Sequence, residues 1–194
     1  NYQHSPFTMN KVAVIEQKSR LIEDLSVADN VFVLRRGFKK YFINPGVLNE
    51  QLQLFTKEVG LTIDGNDLVA NLSSYEKCIV ELLRAVIMGA KLIIIRDISN
   101  CISAADLTKF HHLLRYYCKK GFSFLYICNH HEEAFKICDK VSLMRDGKIL
   151  KVFNQDEFQN ENLLPYYIRE FADVTKVLNG RQKKEKILNF QDVC

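Results

Sequence analysis

An α/β fold built on a largely parallel sheet is what this sequence predicts, and three observations carry it. Short apolar runs alternate with helical patterns along most of the 194 residues. The run Lys91-Leu-Ile-Ile-Ile-Arg96 is continuous and β-branched, the pattern of a strand covered on both faces. Polar residues (Gln17, Asp97 and the Cys128-Asn129 pair) directly follow three such runs. In open α/β sheets, ligands meet the carboxyl ends of the strands.

Each element has its own signal. Lys11-Val-Ala-Val-Ile-Glu16 is a strand ending on Gln17. Leu48, Leu52, Phe55 and Val59 recur at helical spacing and predict a helix over 46–59. Asn71-Leu72-Ser73-Ser74 offers capping hydroxyls to a second helix with the stripe Cys78, Ile79, Leu82, Leu83, Val86 and Ile87. The Lys91–Arg96 strand follows. A third helix spans about 103–120, with Leu107, Phe110, Leu114 and Tyr117 inward, and Gly121 stops it. Strands over 122–127 and 140–144 flank a short helix over 132–137. Asp146-Gly147 then turns the chain into a last strand over 148–153.

Composition excludes several classes. With 47% hydrophobic and 26% charged residues the chain is neither disordered nor fibrous. No apolar run approaches the ~20 residues of a membrane-spanning helix. The opening Asn1-Tyr-Gln-His-Ser-Pro6 carries no apolar core of a signal peptide and no Met, and reads as the start of a fragment. The net charge of +4 is too mild to argue for nucleic acid. The six cysteines lie among apolar positions without a CxxC pair, which favours reduced thiols.

The ordered motifs resemble a known family. Val12-Ala-Val-Ile-Glu-Gln17 with Leu25-Ser-Val-Ala-Asp-Asn-Val-Phe32 resembles the Q-loop region of an ABC-transporter ATPase, of the ribose/galactose-type sugar importer class. Leu72-Ser73-Ser74-Tyr75-Glu76-Lys77 occupies the signature position, Leu92–Asp97 resembles the Walker B strand, and Ser103-Ala-Ala-Asp106 resembles the D-loop. Tyr126-Ile-Cys-Asn129 and the segments through Lys148 follow the H-loop pattern. The match covers about residues 8–153, and its order and spacing are more specific than any single motif.

The resemblance implies an incomplete P-loop NTPase fold, an ABC ATPase-like parallel sheet with a helical subdomain over about 30–90. Residues 1–153 are then the C-terminal part of one ABC ATPase-like domain, 154–184 a helical appendage and linker, and 185–194 a strand resembling the start of a second. The phosphate-cradling GxxxxGK[ST] loop of the family is missing upstream of Gln17. Its strand would lie between 122–127 and 140–144, so a gap or a substitute strand is expected there, and with it self-association.

By the same resemblance, Gln17, Ser73, Asp97 and Asn129 are nucleotide-binding candidates, and Asp97 and Gln17 would meet Mg²⁺ through the nucleotide. Ser103 and Asp106 are the D-loop candidates. A one-residue slip would put His130 rather than Asn129 at the H-loop position, and the sequence leaves both readings open. Ile98 stands where the family has its catalytic Glu. An aliphatic group cannot act as general base, a loss of about 10²–10⁴-fold. Mg-ATP is implied for the parent family, with none expected tightly bound to this chain. The implied partners are a membrane permease and a second ABC ATPase domain, with a cytoplasmic location at the inner face of the membrane. The chain alone is expected to be inactive. The alternative is a non-enzymatic, ABC-derived regulatory or interaction domain.

Other patterns are weighed against these. Cys128, His130, His131 and Cys138 form a C-x-H-H-x₆-C cluster, but buried packing explains it better than zinc. At most one of His111 and His112 faces the core. Asp64, Asp67, Asp106, Asp139 and Asp146 read as caps and turn residues. Arg35-Arg-Gly-Phe-Lys-Lys-Tyr-Phe42 reads as a loop or permease contact in preference to a nucleic-acid grip. Leu163-Leu-Pro-Tyr-Tyr-Ile168 reads as a packing patch.

Overall fold

The computed structural model describes residues 12–32, 49–50, 52–53, 56–57 and 63–166. The chain divides into two compact units, Asn1–Cys138 and Asp139–Cys194. The basic segment 35–42 and the strand expected over 185–194 lie outside the described residues. So does much of the helix expected over 46–59, although residues 49–50, 52–53 and 56–57 are helical and Leu52 is fully buried.

The first unit holds three parallel strands in the order β1-β2-β3: β1 Val12–Glu16, β2 Leu92–Arg96 and β3 Ser123–Ile127. Ile93 and Ile95 of β2 are fully buried, each contributing about 1.5–3 kcal/mol of burial, while Leu92 and Ile94 are partly exposed. The central strand is therefore more completely covered on one face than its uniform sequence predicts.

Besides the partly described helical stretch around Leu52, the described residues of the unit form α1 Val27–Phe32, α2 Ser74–Ile87, α3 Ala104–Lys119 and α4 His131–Ile137. Ser73 starts α2 through a capping box with Glu76, and Ser103 starts α3 by accepting from the Asp106 amide. Cys78, Ile79, Leu82 and Leu83 bury the predicted stripe of α2. Phe110, Leu114 and Tyr117 do the same for α3, with Leu107 partly buried. Gly121 takes φ 86° just past α3, where a side chain would be strained.

The second unit is a β-hairpin, β4 Lys140–Arg145 and β5 Lys148–Asn154, followed by a 3₁₀ turn and a helical stretch over 160–166. Asp146 (φ 49°) and Gly147 (φ 74°) make its two-residue turn. Residues 140–145 are thus strand, as expected, but they belong to an antiparallel sheet of their own. The tight turn supplies β5 as a local partner. Leu163 is buried and Leu164 half-exposed, so the 163–168 patch is only partly packing surface within its described part. Among the described residues β3 pairs only with β2. Leu125 and Ile127 of β3 are 50% and 42% exposed.

Candidate functional site

Parallel pairing without a shift places the carboxyl ends of the strands side by side. Glu16 of β1 is in register with Arg96 of β2, and Arg96 with Ile127 of β3. The residues that follow, Gln17, Asp97 and Asn129, therefore emerge from one edge of the sheet. Asp97 leaves β2 in a left-handed conformation (φ 54°, ψ 30°), one that Asp tolerates better than most residues. Its backbone N–H donates to the Ile127 carbonyl at 2.9 Å, tying it to β3. Its Oδ1 accepts from Asn129 Nδ2 at 3.4 Å.

Glu16, Gln17, Lys18, Arg96 and Asp97 line a cavity of about 470 Å³ at this edge. Glu16 is gripped from two sides. Arg96 Nη2 lies 2.6 Å from its Oε1, while Arg20 donates to its Oε2 from Nε at 3.1 Å and also from Nη2. Behind the loop, the Arg20 backbone N–H donates to Glu81 Oε1 at 2.6 Å and Ser19 Oγ donates to it at 3.2 Å. Glu81 is only 3% exposed, and burial pushes its carboxyl up while these donors and Arg84 pull it down. A buried acid on α2 thus anchors the segment that carries Gln17.

The remaining predicted residues are placed differently. Ile98 is 1% exposed and packs in the hydrophobic core, so its side chain is directed away from solvent. Ser73 Oγ is engaged with the Glu76 carboxylate at 2.7 Å and Ser103 Oγ with that of Asp106 at 2.7 Å, both as helix caps. Lys109 adds an ion pair to Asp106 at 3.0 Å. Neither serine lines the strand-end cavity. Of the two H-loop candidates, Asn129 is the one whose side chain meets Asp97; His130 is the first residue before α4.

A second cavity, of about 420 Å³, opens between α3 and α4, with Thr108, His111, Asn129, His130 and Glu133 among its lining residues. Two of its lining residues, His111 and Glu133, are joined by Tyr126 of β3, which donates a short hydrogen bond to Glu133 and pairs with His111 Nε2 at 3.1 Å. Burial raises the Tyr126 phenol, reinforced by Glu133, and burial lowers His111 below its usual 6.5. The sequence pattern shows only that at most one of His111 and His112 faces the core, and names no partner for it. The available signal was Tyr126 itself, since a tyrosine in a core strand needs something for its hydroxyl.

The cysteine-histidine cluster does not converge. The Cys128 thiol donates to the His130 carbonyl at 3.3 Å, and burial pushes it up to about 11. Among the described residues no group of three or more His, Cys, Asp or Glu side chains is arranged to hold a metal ion. Cys78, Cys101 and Cys128 carry thiols outside any disulfide.

A parallel sheet with a helical flank and polar strand ends defines an α/β class whose ligands meet the carboxyl ends of the strands, and solved structures make the class specific. The chain superposes on the ATP-binding cassette MJ1267 in its ADP conformation with a TM-score of 0.67 at 16% identity, over 84% of this chain and 68% of that one. The cassette MJ0796, dimeric and bound to ADP and Pi, gives 0.61 at 16% identity, over 76% and 64%. The fold is that of an ABC ATPase.

No protein-family model matches the chain. Among curated proteins it is 28% identical over 155 residues to the ribose import ATP-binding protein RbsA of Clostridium perfringens, covering 79% of this chain and 31% of that protein. It is 24% identical over 189 residues to the galactose/methyl galactoside import ATP-binding protein MglA of Haemophilus influenzae, covering 95% and 36%. The chain is a homologue of the ATP-binding proteins of sugar-import ABC systems, and it spans about a third of the length of these relatives.

Proposed function

We propose that the chain is part of the ATP-binding component of a sugar-type ABC import system, and that its own site is impaired for hydrolysis. The observation that carries this is the convergence of Gln17, Asp97 and Asn129 at one sheet edge, in a homologue of sugar-import ATP-binding proteins. Ile98 supports the impairment: its side chain is packed in the core and offers no proton acceptor.

In this reading the parent protein turns over ATP at an intact site elsewhere, this module supplies a degenerate half-site, and a permease subunit and a second ATPase domain are its partners. No described helix is long and apolar enough to cross a membrane, which suits a module docked peripherally at the inner face. The edge of β3 away from β2 favours pairing with a further strand, including that of a second copy. Phosphate release from purified chain with ATP and Mg²⁺ tests the impairment. No turnover above the uncatalysed background is expected, and turnover at about 1 s⁻¹, within the usual enzymatic range, would overturn it. Co-purification with the permease encoded beside its gene tests the partner assignment.

A further inference from the structure

We propose that the strand-end cavity is a metal-independent anion site, in which Arg96, parked on Glu16, takes the place that a divalent cation would fill against a phosphate. The inference rests on reading this cavity as the nucleotide-facing edge of the module. It goes further by naming the ligand chemistry: a pyrophosphate or polyphosphate group, free or carried by a nucleotide, with no bound metal.

The donor set does not fit Mg²⁺. That ion demands near-ideal octahedral oxygen coordination and is held at such sites by one or two carboxylates plus phosphates. Two carboxylates line the cavity, Glu16 and Asp97. Glu16 is already neutralised, with a guanidinium on each oxygen. Asp97 accepts from Asn129, and its chain neighbour is Arg96. Counting Arg20 on Glu16, three cations (Lys18, Arg20 and Arg96) face two acids, so a doubly charged cation arriving here meets repulsion. The expected role of Asp97 and Gln17 as Mg²⁺ contacts therefore does not carry over.

The same arrangement suits an anion. A carboxylate held between two guanidiniums occupies a place that a phosphate can take, because each offers a pair of oxygens to the planar donor fork of arginine. Arg96 is 55% exposed along its side chain, so it is free to turn toward a ligand in the cavity, while Glu16 at 17% is held in place. Register pairing of Glu16 with Arg96 keeps the two at the same point of the sheet edge. Glu16 is then a built-in competitor for any phosphate, and removing its charge releases both arginines together.

Calorimetry on the full 194-residue chain tests this, with pyrophosphate and with ATP as separate probes, each in EDTA and in Mg²⁺. Expected are binding of pyrophosphate in EDTA at least as tight as in Mg²⁺, tightening of about tenfold in Glu16→Gln, weakening of about tenfold in Arg96→Gln, and partial retention in Arg96→Lys. Far-UV circular dichroism checks each variant's fold, and the Arg96 pair, at a half-exposed strand end, decides the matter if Glu16→Gln does not fold. Affinity that appears only with Mg²⁺, or Arg96→Gln binding like the parent chain, overturns the proposal. So does a folded chain that binds neither probe in EDTA. Pyrophosphate binding without ATP binding would sustain the anion site and sink the nucleotide reading; ATP binding only with Mg²⁺ would do the reverse.

Discussion

Asn129 donates from Nδ2 to Asp97 Oδ1 at 3.4 Å, joining the ends of two adjacent parallel strands through side chains 32 positions apart in the chain. A neutral amide against a carboxylate is tolerable; a second carboxylate is not. Asn129→Asp is expected to lower stability by less than about 1 kcal/mol at low salt, a like-charge contact in an exposed setting that added salt screens. Urea denaturation at low and high salt reads the difference, and a loss that salt does not reduce would show that charge repulsion is not its cause.

Ile98→Glu looks from the motif like a repair of the catalytic position. The core location of this side chain argues otherwise. Placing an unpaired carboxylate there is expected to destabilise the fold by about 2–4 kcal/mol without producing ATP turnover. Thermal melting and a phosphate-release assay on the same preparation check both halves, and a stable, active variant would show that the position faces the cavity.

Glu81 links α2 to the loop after Gln17. Glu81→Ala strands the Arg20 N–H and Ser19 hydroxyl and is expected to cost about 1–3 kcal/mol. Glu81→Gln keeps an acceptor and should cost less. Chemical denaturation ranks the two; equal costs would assign the effect to packing alone.

His111 makes stability depend on pH. Burial holds its folded-state pKa below the ordinary 6.5. As pH falls through 6.5, the unfolded chain therefore takes up a proton that the folded chain does not, and stability is lost over the window down to the folded value. The groups facing it include Glu133, which opposes the shift, and Arg115, His112 and Lys136, which add to it. His111→Gln is expected to flatten the decline between pH 6.5 and 5, read from denaturant midpoints; an unchanged slope would place the sensitivity elsewhere.

The edge of β3 away from β2 should be sticky. Leu125→Lys, at a half-exposed position, is expected to leave the melting temperature within a few degrees while lowering the mass measured by light scattering at micromolar concentration. A monomer for the parent chain would remove the basis for self-association.

Much of the architecture was legible because the relevant signals are local. The Ser73 and Ser103 caps, the Gly121 stop and the Asp146-Gly147 turn are each set by residues within a few positions of one another. The convergence of Gln17, Asp97 and Asn129 was legible too, since polar residues ending parallel strands in register must share an edge. Two features were not. The exposure of Leu125 and Ile127 depends on what covers β3, which its run of apolar and aromatic residues does not state. The Glu16–Arg96 pair was hidden because charged residues at strand ends read as ordinary solvated termini until register brings them together.

By itself the sequence determined the α/β class, the order of the elements and the three strand-end residues, because hydrophobic periodicity and capping chemistry act over short stretches. Only the tertiary structure decided that Ile98 turns into the core, that Arg96 locks onto Glu16, and that Tyr126 links His111 to Glu133. Those outcomes depend on which side chains long-range pairing places within a few ångströms, and no local pattern encodes that distance.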